Sequence, residues 1–202
     1  MNYKQIETVL NKYVPDPQIP LDHKNPFTLL IAVMLSAQTT DTSVNKVTPE
    51  LFRLGHTPQK MSQLTVPQIL KIIRTIGLAP TKAKNVLAIS KALLENFNGK
   101  VPNTFEELES LPGVGHKTAS VIMAHVFHRS SFVVDTHVLR SAKRWHISSH
   151  DNVKKVEEDC KRFFPEKDWN RVSLQMILFA RKYCPAKKHD PSECPMCSKL
   201  NK

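Results

Sequence analysis

The sequence predicts an all-α protein, and three observations support this fold class. Apolar residues recur at spacings of three and four along the whole chain, which is the period of helices with one buried face. The period-two alternation of a half-buried strand is hard to find. Helix punctuation is also present, because Gly55, Gly77 and Gly99 fall where helices should stop and Thr104 with Glu107 fits a capping box.

The predicted helices of the first half follow one another closely. Apolar residues from Ile6 to Tyr13 indicate a first amphipathic helix, and three prolines between positions 15 and 20 then interrupt the chain. The segment Phe27 to Ala37 is apolar nearly all round, which predicts a buried central helix. Further helices are predicted over 43–52, 66–75, 82–96, 104–110 and 117–127.

The second half predicts three more helices and an irregular tail. The helices span 136–144, 153–163 and 169–183, and the tail is rich in Cys, Pro and Lys. Internal repeats and low-complexity segments are absent from the sequence. Short connections between short helices favour a compact helical protein of one domain or two lobes.

The charge balance points to a polyanionic partner. The chain of 202 residues carries 29 Lys and Arg against 18 Asp and Glu, a net charge of +11, and nucleic acid is favoured over other anionic partners. The N-terminus lacks the features of a secretory signal, and the longest apolar run, 27–35, is too short to span a bilayer. We therefore expect a cytoplasmic protein that does not associate with membranes. Three of the four cysteines crowd into the tail, which suits metal binding better than disulfides.

The segment Leu111 to Ala119 joins two predicted helices through a turn with two glycines. Gly113 and Gly115 flank Val114, and glycines leave room for a phosphate to approach the backbone N–H groups that begin the next helix. The turn therefore predicts a sequence-independent contact with a phosphate backbone. An ordinary corner between two helices that binds nothing is the alternative.

Two further segments give this turn a context. Val133-Val134-Asp135-Thr136-His137-Val138 follows it, and Met34 to Asp41 precedes it. Together with Lys117, these segments resemble the helix-hairpin-helix DNA glycosylases, most closely those of the endonuclease III kind, over about residues 27–183. The resemblance implies a two-lobed fold with a central cleft that holds Lys117 and Asp135. It implies a six-helix barrel lobe over 19–129 and a second lobe made of 1–18 with 130–202.

The resemblance also implies catalytic roles for Lys117 and Asp135. Lys117 would attack the sugar C1′ as a neutral amine, which requires desolvation because a free lysine amine has a pKa of about 10.4. Asp135 would stabilise the cationic sugar and help to move protons. Each residue has a simpler alternative, since Lys117 could only contact phosphate and Asp135 could only cap a helix. A lysine at this position favours the glycosylases that also cleave the strand.

A base in a duplex must be flipped out before it can enter such a pocket. By resemblance, Gln38 enters the vacated space and Leu78 wedges the opposite strand. From the pattern alone, Gln38 would be a polar residue at a helix end and Leu78 a core leucine. His137 lies in a family motif but is expected to be structural, although it is among the candidate DNA contacts. Asp41 is expected to support the pocket or to cap a helix.

The tail departs from the family's cysteine pattern. Endonuclease III usually holds a 4Fe-4S cluster through C-x6-C-x2-C-x5-C, and this register places Pro191 and Leu200 at the second and fourth positions. Cys184, Cys194 and Cys197 with His189 could hold a cluster or a zinc ion, and a tail without metal is the alternative. Cys160 is expected in the core, and Lys187 and Lys188 are expected to contact phosphate.

These observations lead to one main hypothesis. We expect a monomeric bacterial enzyme acting in the nucleoid, a bifunctional glycosylase and abasic-site lyase that removes oxidised pyrimidines from damaged double-stranded DNA. The alternatives are a non-catalytic helix-hairpin-helix DNA-binding protein and a glycosylase for another lesion.

Overall fold

A computed structural model describes residues 2–200, and within that range the chain folds into helices without strands. The predicted all-α class is therefore confirmed. The first half contains α1 (Tyr3–Tyr13), α2 (Pro26–Leu35), α3 (Asp41–Leu54), α4 (Pro58–Met61), α5 (Val66–Ile73), α6 (Ala79–Phe97) and α7 (Phe105–Glu109). The second half contains α8 (His116–His125), α9 (Thr136–Arg144), α10 (Val153–Phe163), a 3-10 turn (Glu166–Asp168), α11 (Trp169–Lys182) and α12 (Cys197–Leu200).

The chain divides into two compact units. One unit runs from Ile19 to Phe127, and the other joins the residues up to Gln18 to those from His128 onward. Helix α2 supplies the centre of the first core, since every residue of it after Pro26 is buried. Its start is fixed by Asn25, whose side chain accepts a hydrogen bond from the Thr28 backbone at 2.9 Å, and by Pro26 in the first helical position.

The second unit brings the first helix against the last long one. Arg171 of α11 pairs with Glu7 of α1 and, at 2.9 Å, with Asp168. The Gln175 amide, fully buried, donates to Asn11 Oδ1 at 2.9 Å and to the Val14 carbonyl at 2.8 Å. These contacts satisfy the polar groups that this packing buries, so α1 is fixed on α11 although about 160 residues separate them in sequence.

Several predicted details differ in the structure. Helix α6 begins at Ala79 rather than at 82, and helix α5 ends at Ile73, well before Gly77. The capping box at Thr104 is incomplete. The Glu107 backbone N–H donates to the Thr104 hydroxyl oxygen, but the Glu107 carboxylate accepts from that hydroxyl, at 2.8 Å, instead of from the Thr104 backbone N–H. The short helices α4 and α12 were not predicted, because four residues are too few to show a helical period.

Other predictions are confirmed. Gly55 is the residue that ends α3, and Cys160 is fully buried. A search of residues 2–200 finds that their helices are too short or too polar to span a membrane.

Candidate active site and metal centre

The turn between α7 and α8 has the open backbone that a phosphate contact needs. Gly113 lies in the left-handed region at φ +75°, and a Cβ there would meet Asn85 Nδ2 at 2.3 Å. A Cβ on Gly115 would have open space around it. Gly115 begins α8, and among the described residues no side chain caps this helix end. Backbone N–H groups at such an end attract anions, so the geometry fits the predicted phosphate contact.

Side chains on the two helices close the hairpin. His116 Nδ1 lies 2.8 Å from Glu109 Oε1, and the His116 ring stacks on Phe105 with 5.3 Å between ring centroids. Val114 is buried at the tip of the turn. The hairpin is thus a packed unit with an accessible backbone.

Lys117 lies in the first turn of α8, as predicted, and its side chain is exposed. The expectation that burial would promote its neutral form is therefore not met by the protein chain itself.

Asp135 is buried and begins α9. Its Oδ1 accepts hydrogen bonds from the backbone N–H groups of His137, at 2.8 Å, and Val138, at 2.9 Å. The predicted capping role is confirmed, and the two bonds fix the direction of the carboxylate. His137 is half-buried, and its Nδ1 lies 3.2 Å from the Arg140 guanidinium.

Gln38 and Leu78 share an uncommon backbone conformation. Both adopt positive φ, +54° for Gln38 and +61° for Leu78, and both are exposed. The interpretation of Leu78 as a core leucine is wrong, because 55% of its surface is exposed. Non-glycine residues in this region cost roughly 1–2 kcal/mol, and such strain persists where the surroundings enforce it. The two turns lie side by side, since a Cβ on Gly77 would stand 3.5 Å from the Gln38 carbonyl oxygen.

Lys82 connects these turns and was not predicted as a site residue. Its side chain on α6 is buried, and its amine donates to the Ala37 carbonyl and to Thr39 Oγ1, each at 2.8 Å. These acceptors flank Gln38 on both sides. Burial lowers the pKa of Lys82. Lys82 lies in register with the buried residues Ala79 and Ala83 of α6, and this spacing is the sequence signal that could have indicated its burial.

The tail brings four metal-binding side chains together. The donor atoms of Cys184, His189, Cys194 and Cys197 all lie within 4.8 Å of one another. The three cysteines are buried and His189 is half-buried. This group can hold a metal centre, which agrees with the predicted three thiols and one imidazole.

Two arginines of α9 contact the first of these ligands. Arg140 donates to the Cys184 carbonyl at 3.1 Å. Arg144 donates to Cys184 Sγ at 3.4 Å and to the Pro185 carbonyl at 2.8 Å. Neither arginine was singled out from the sequence, since the contacts join residues about 40 positions apart.

The geometry agrees with comparisons to known proteins. The family model for the HhH-GPD superfamily of base excision DNA repair proteins matches residues 31–166. The chain is 42% identical to endonuclease III of Rickettsia felis, over 95% of this chain and 90% of that protein. It is 40% identical to endonuclease III of Bacillus subtilis, over 98% and 92%. The chain belongs to the endonuclease III family of the HhH-GPD superfamily.

A solved structure of the family supports the fold in detail. It is a trapped endonuclease III–DNA covalent intermediate with a TM-score of 0.91, 37% sequence identity and complete coverage of both chains. In the tail of this chain, His189 joins three cysteines as a potential metal ligand. Lys187 and Lys188, on the loop just before His189, are exposed.

Proposed function

We propose that this endonuclease III family member removes oxidised pyrimidines from duplex DNA and cleaves the resulting abasic strand. The observation that carries the proposal is Lys117 in the first turn of α8, beside a helix end without a side-chain cap among the described residues. The solved relative trapped as a covalent intermediate with DNA supports a covalent route. The route assigned here uses the Lys117 amine.

Lys117 acts as the nucleophile once DNA covers it. The neutral Nζ attacks C1′, the C1′–N bond to the damaged base breaks, and the base leaves with its electron pair and takes up a proton. The lysine nitrogen then loses a proton, and its lone pair forms the C1′=N imine as the C1′–O4′ bond breaks and O4′ takes up a proton. Removal of a C2′ proton breaks the C3′–O bond and nicks the strand 3′ to the lesion. Water finally releases Lys117 from the imine.

Asp135 supplies negative charge to the reaction. Capping fixes the carboxylate through Oδ1, so it can stabilise positive charge on the sugar as the glycosidic bond breaks. It can also help to move protons during the reaction. Capping and catalysis thus use one residue for two purposes.

The remaining candidate residues position the DNA. Backbone N–H groups at the start of α8, which follows the turn of Gly113, Val114 and Gly115, bind a phosphate. Lys187 and Lys188 make further phosphate contacts. Gln38 occupies the space left by the flipped nucleotide, because an amide can replace lost base hydrogen bonds. Leu78 enters the opposite strand, where an exposed apolar side chain separates stacked bases. We further propose that the protein acts as a monomer.

Borohydride trapping on duplex DNA with an abasic site tests the nucleophile. The wild type and the control variant Lys84→Ala, an exposed lysine on α6, are expected to give a covalent adduct of equal yield. Lys117→Ala is expected to give none while still binding DNA. An adduct that survives Lys117→Ala would refute the assignment, and its absence from the wild type would refute the lyase activity.

The exposure of Lys117 gives one alternative a specific basis, because an exposed lysine beside an anion-binding helix end can serve as a phosphate contact only. A non-catalytic binding protein would show salt-dependent duplex binding without base release from any lesion. A panel of duplexes with single lesions also separates oxidised pyrimidines from other damaged bases. Preferential release of an alkylated or mismatched base would refute the proposed substrate class.

A further inference from the structure

The tail of this family member departs from the family's four-cysteine pattern, and the spacing of its donors distinguishes two kinds of metal centre. Cys184 Sγ lies 3.9 Å from Cys197 Sγ and 3.5 Å from His189 Nε2. All four donor atoms lie within 4.8 Å of one another. These distances bring the four donor atoms close enough to surround a single ion.

A single zinc ion requires this spacing. With Zn–S bonds of about 2.3 Å and a Zn–N bond of about 2.0 Å, tetrahedral geometry places sulfurs about 3.8 Å apart and sulfur and nitrogen about 3.5 Å apart. The two distances in the tail agree with these values to about 0.1 Å.

A 4Fe-4S cluster requires wider spacing. Its protein ligands bind four different iron atoms, so the inorganic core holds the ligand atoms on the order of 6 Å apart. Because the donor atoms lie within 4.8 Å of one another, every distance between two donors would have to increase to admit the cluster. The positions that the family register assigns to its second and fourth cysteines are Pro191 and Leu200, which offer no ligand atom.

The surrounding charges also suit a zinc site. Three thiolates and a neutral imidazole around Zn²⁺ carry one net negative charge. Arg144 donates to the Cys184 sulfur and Arg140 to its carbonyl, so positive charge lies beside the ligands. Metal ligands are commonly oriented by such outer hydrogen bonds.

The geometry points to a structural zinc site formed by Cys184, His189, Cys194 and Cys197, in place of the family's iron–sulfur cluster. Four protein ligands close the coordination sphere, as in structural rather than catalytic zinc sites. The ion would fix the tail to α9 and α11, because Cys184 directly follows the end of α11 and contacts two arginines of α9. Metal binding in such sites contributes to folding.

Metal analysis of the full chain tests this inference. The protein is produced with an intact supply of both zinc and iron–sulfur clusters and purified without oxygen, so that a native cluster survives. We expect about one zinc per chain and little iron or labile sulfide. About four irons with matching sulfide and the broad visible absorption of a cluster would overturn the inference, as would failure to retain either metal.

Cobalt substitution tests the role of His189. The Co²⁺-loaded chain should show the intense visible bands of a tetrahedral thiolate site, since cobalt adopts the zinc geometry here. Zinc analysis of His189→Ala should give a loss of at least tenfold in affinity, in line with the loss of a ligand, whereas His189→Cys should retain zinc. The control His150→Ala changes an exposed histidine outside the tail and should bind zinc like the wild type. Unchanged affinity and unchanged cobalt bands in His189→Ala would exclude His189 as a ligand.

Discussion

Replacing Lys82 by methionine separates the positioning of the Gln38 turn from the stability of the fold. The change removes two hydrogen bonds of 2.8 Å to acceptors on either side of Gln38, each worth about 1.5–3 kcal/mol when the donor is charged. It also removes the cost of burying an ammonium, which amounts to several kcal/mol. Because these contributions oppose each other, we expect the free energy of unfolding to change by no more than about 1 kcal/mol.

The activity of Lys82→Met should fall much further than its stability. Gln38 occupies a strained conformation at φ +54°, and without Lys82 the turn can relax by roughly 1–2 kcal/mol. If the strained form is the one that binds DNA, its population falls about 5- to 30-fold. Single-turnover excision from a duplex with one oxidised pyrimidine should decrease by the same factor, because Lys117 and Asp135 are unchanged.

Two variants control this experiment. Lys82→Arg keeps a donor and should recover part of the activity, and Lys84→Met alters an exposed lysine on the same helix with no expected effect. Excision within twofold of the wild type in Lys82→Met would refute the reasoning. A loss of activity that only follows a loss of more than about 4 kcal/mol in unfolding free energy would show a purely structural role.

Four other outcomes follow from the geometry. Gly113→Ala should lower the free energy of unfolding by about 1–3 kcal/mol in denaturant titrations, because φ is +75° and the new Cβ meets Asn85; unchanged stability would refute this conformation. Burial lowers the pKa of Lys82, so the unfolded chain binds this proton more tightly than the folded chain. The stability of the wild type relative to Lys82→Met should therefore rise with pH between the lowered pKa and 10.5. A difference in unfolding free energy that does not change with pH would contradict this. Leu78→Gly relieves left-handed strain of about 1 kcal/mol and should leave the melting temperature nearly unchanged while duplex excision falls severalfold; full activity would exclude a wedge. Asp135→Asn keeps a capping side chain, so thermal melting should change little while base release slows by about 100-fold or more; a normal rate would remove Asp135 from the chemistry.

Features set by neighbouring residues could be predicted from the sequence. The capping role of Asp135 depends on backbone groups two and three positions ahead. The burial of α2 follows from an apolar run between Phe27 and Leu35 that is interrupted only by Thr28. Such features need no knowledge of the tertiary fold, because the interacting groups are fixed by the helix itself.

Features set by distant residues could not be predicted. The contacts of Lys82 reach back 43 and 45 positions, and those of Arg144 reach forward 40 or 41. Both residues have long charged side chains, which usually meet water, so residue type alone predicts exposed positions for them. The exposure of Leu78 could also not be inferred from the hydrophobic pattern alone. Residue type does not reveal whether a leucine lies in a core or in an exposed left-handed turn.

The two residues assigned to the chemistry both lie near the N-terminal end of a helix, and this has opposite consequences for them. Asp135 begins α9 and Lys117 lies in the first turn of α8, so each is close to the positive end of a helix. That end stabilises a carboxylate and disfavours an ammonium, by about 0.3–1 kcal/mol at exposed sites. The effect is too small to deprotonate an exposed lysine, but it acts in the direction that a nucleophilic amine and an anionic carboxylate both require. Under the proposed function, the larger contribution comes from the removal of water around Lys117 when DNA covers it.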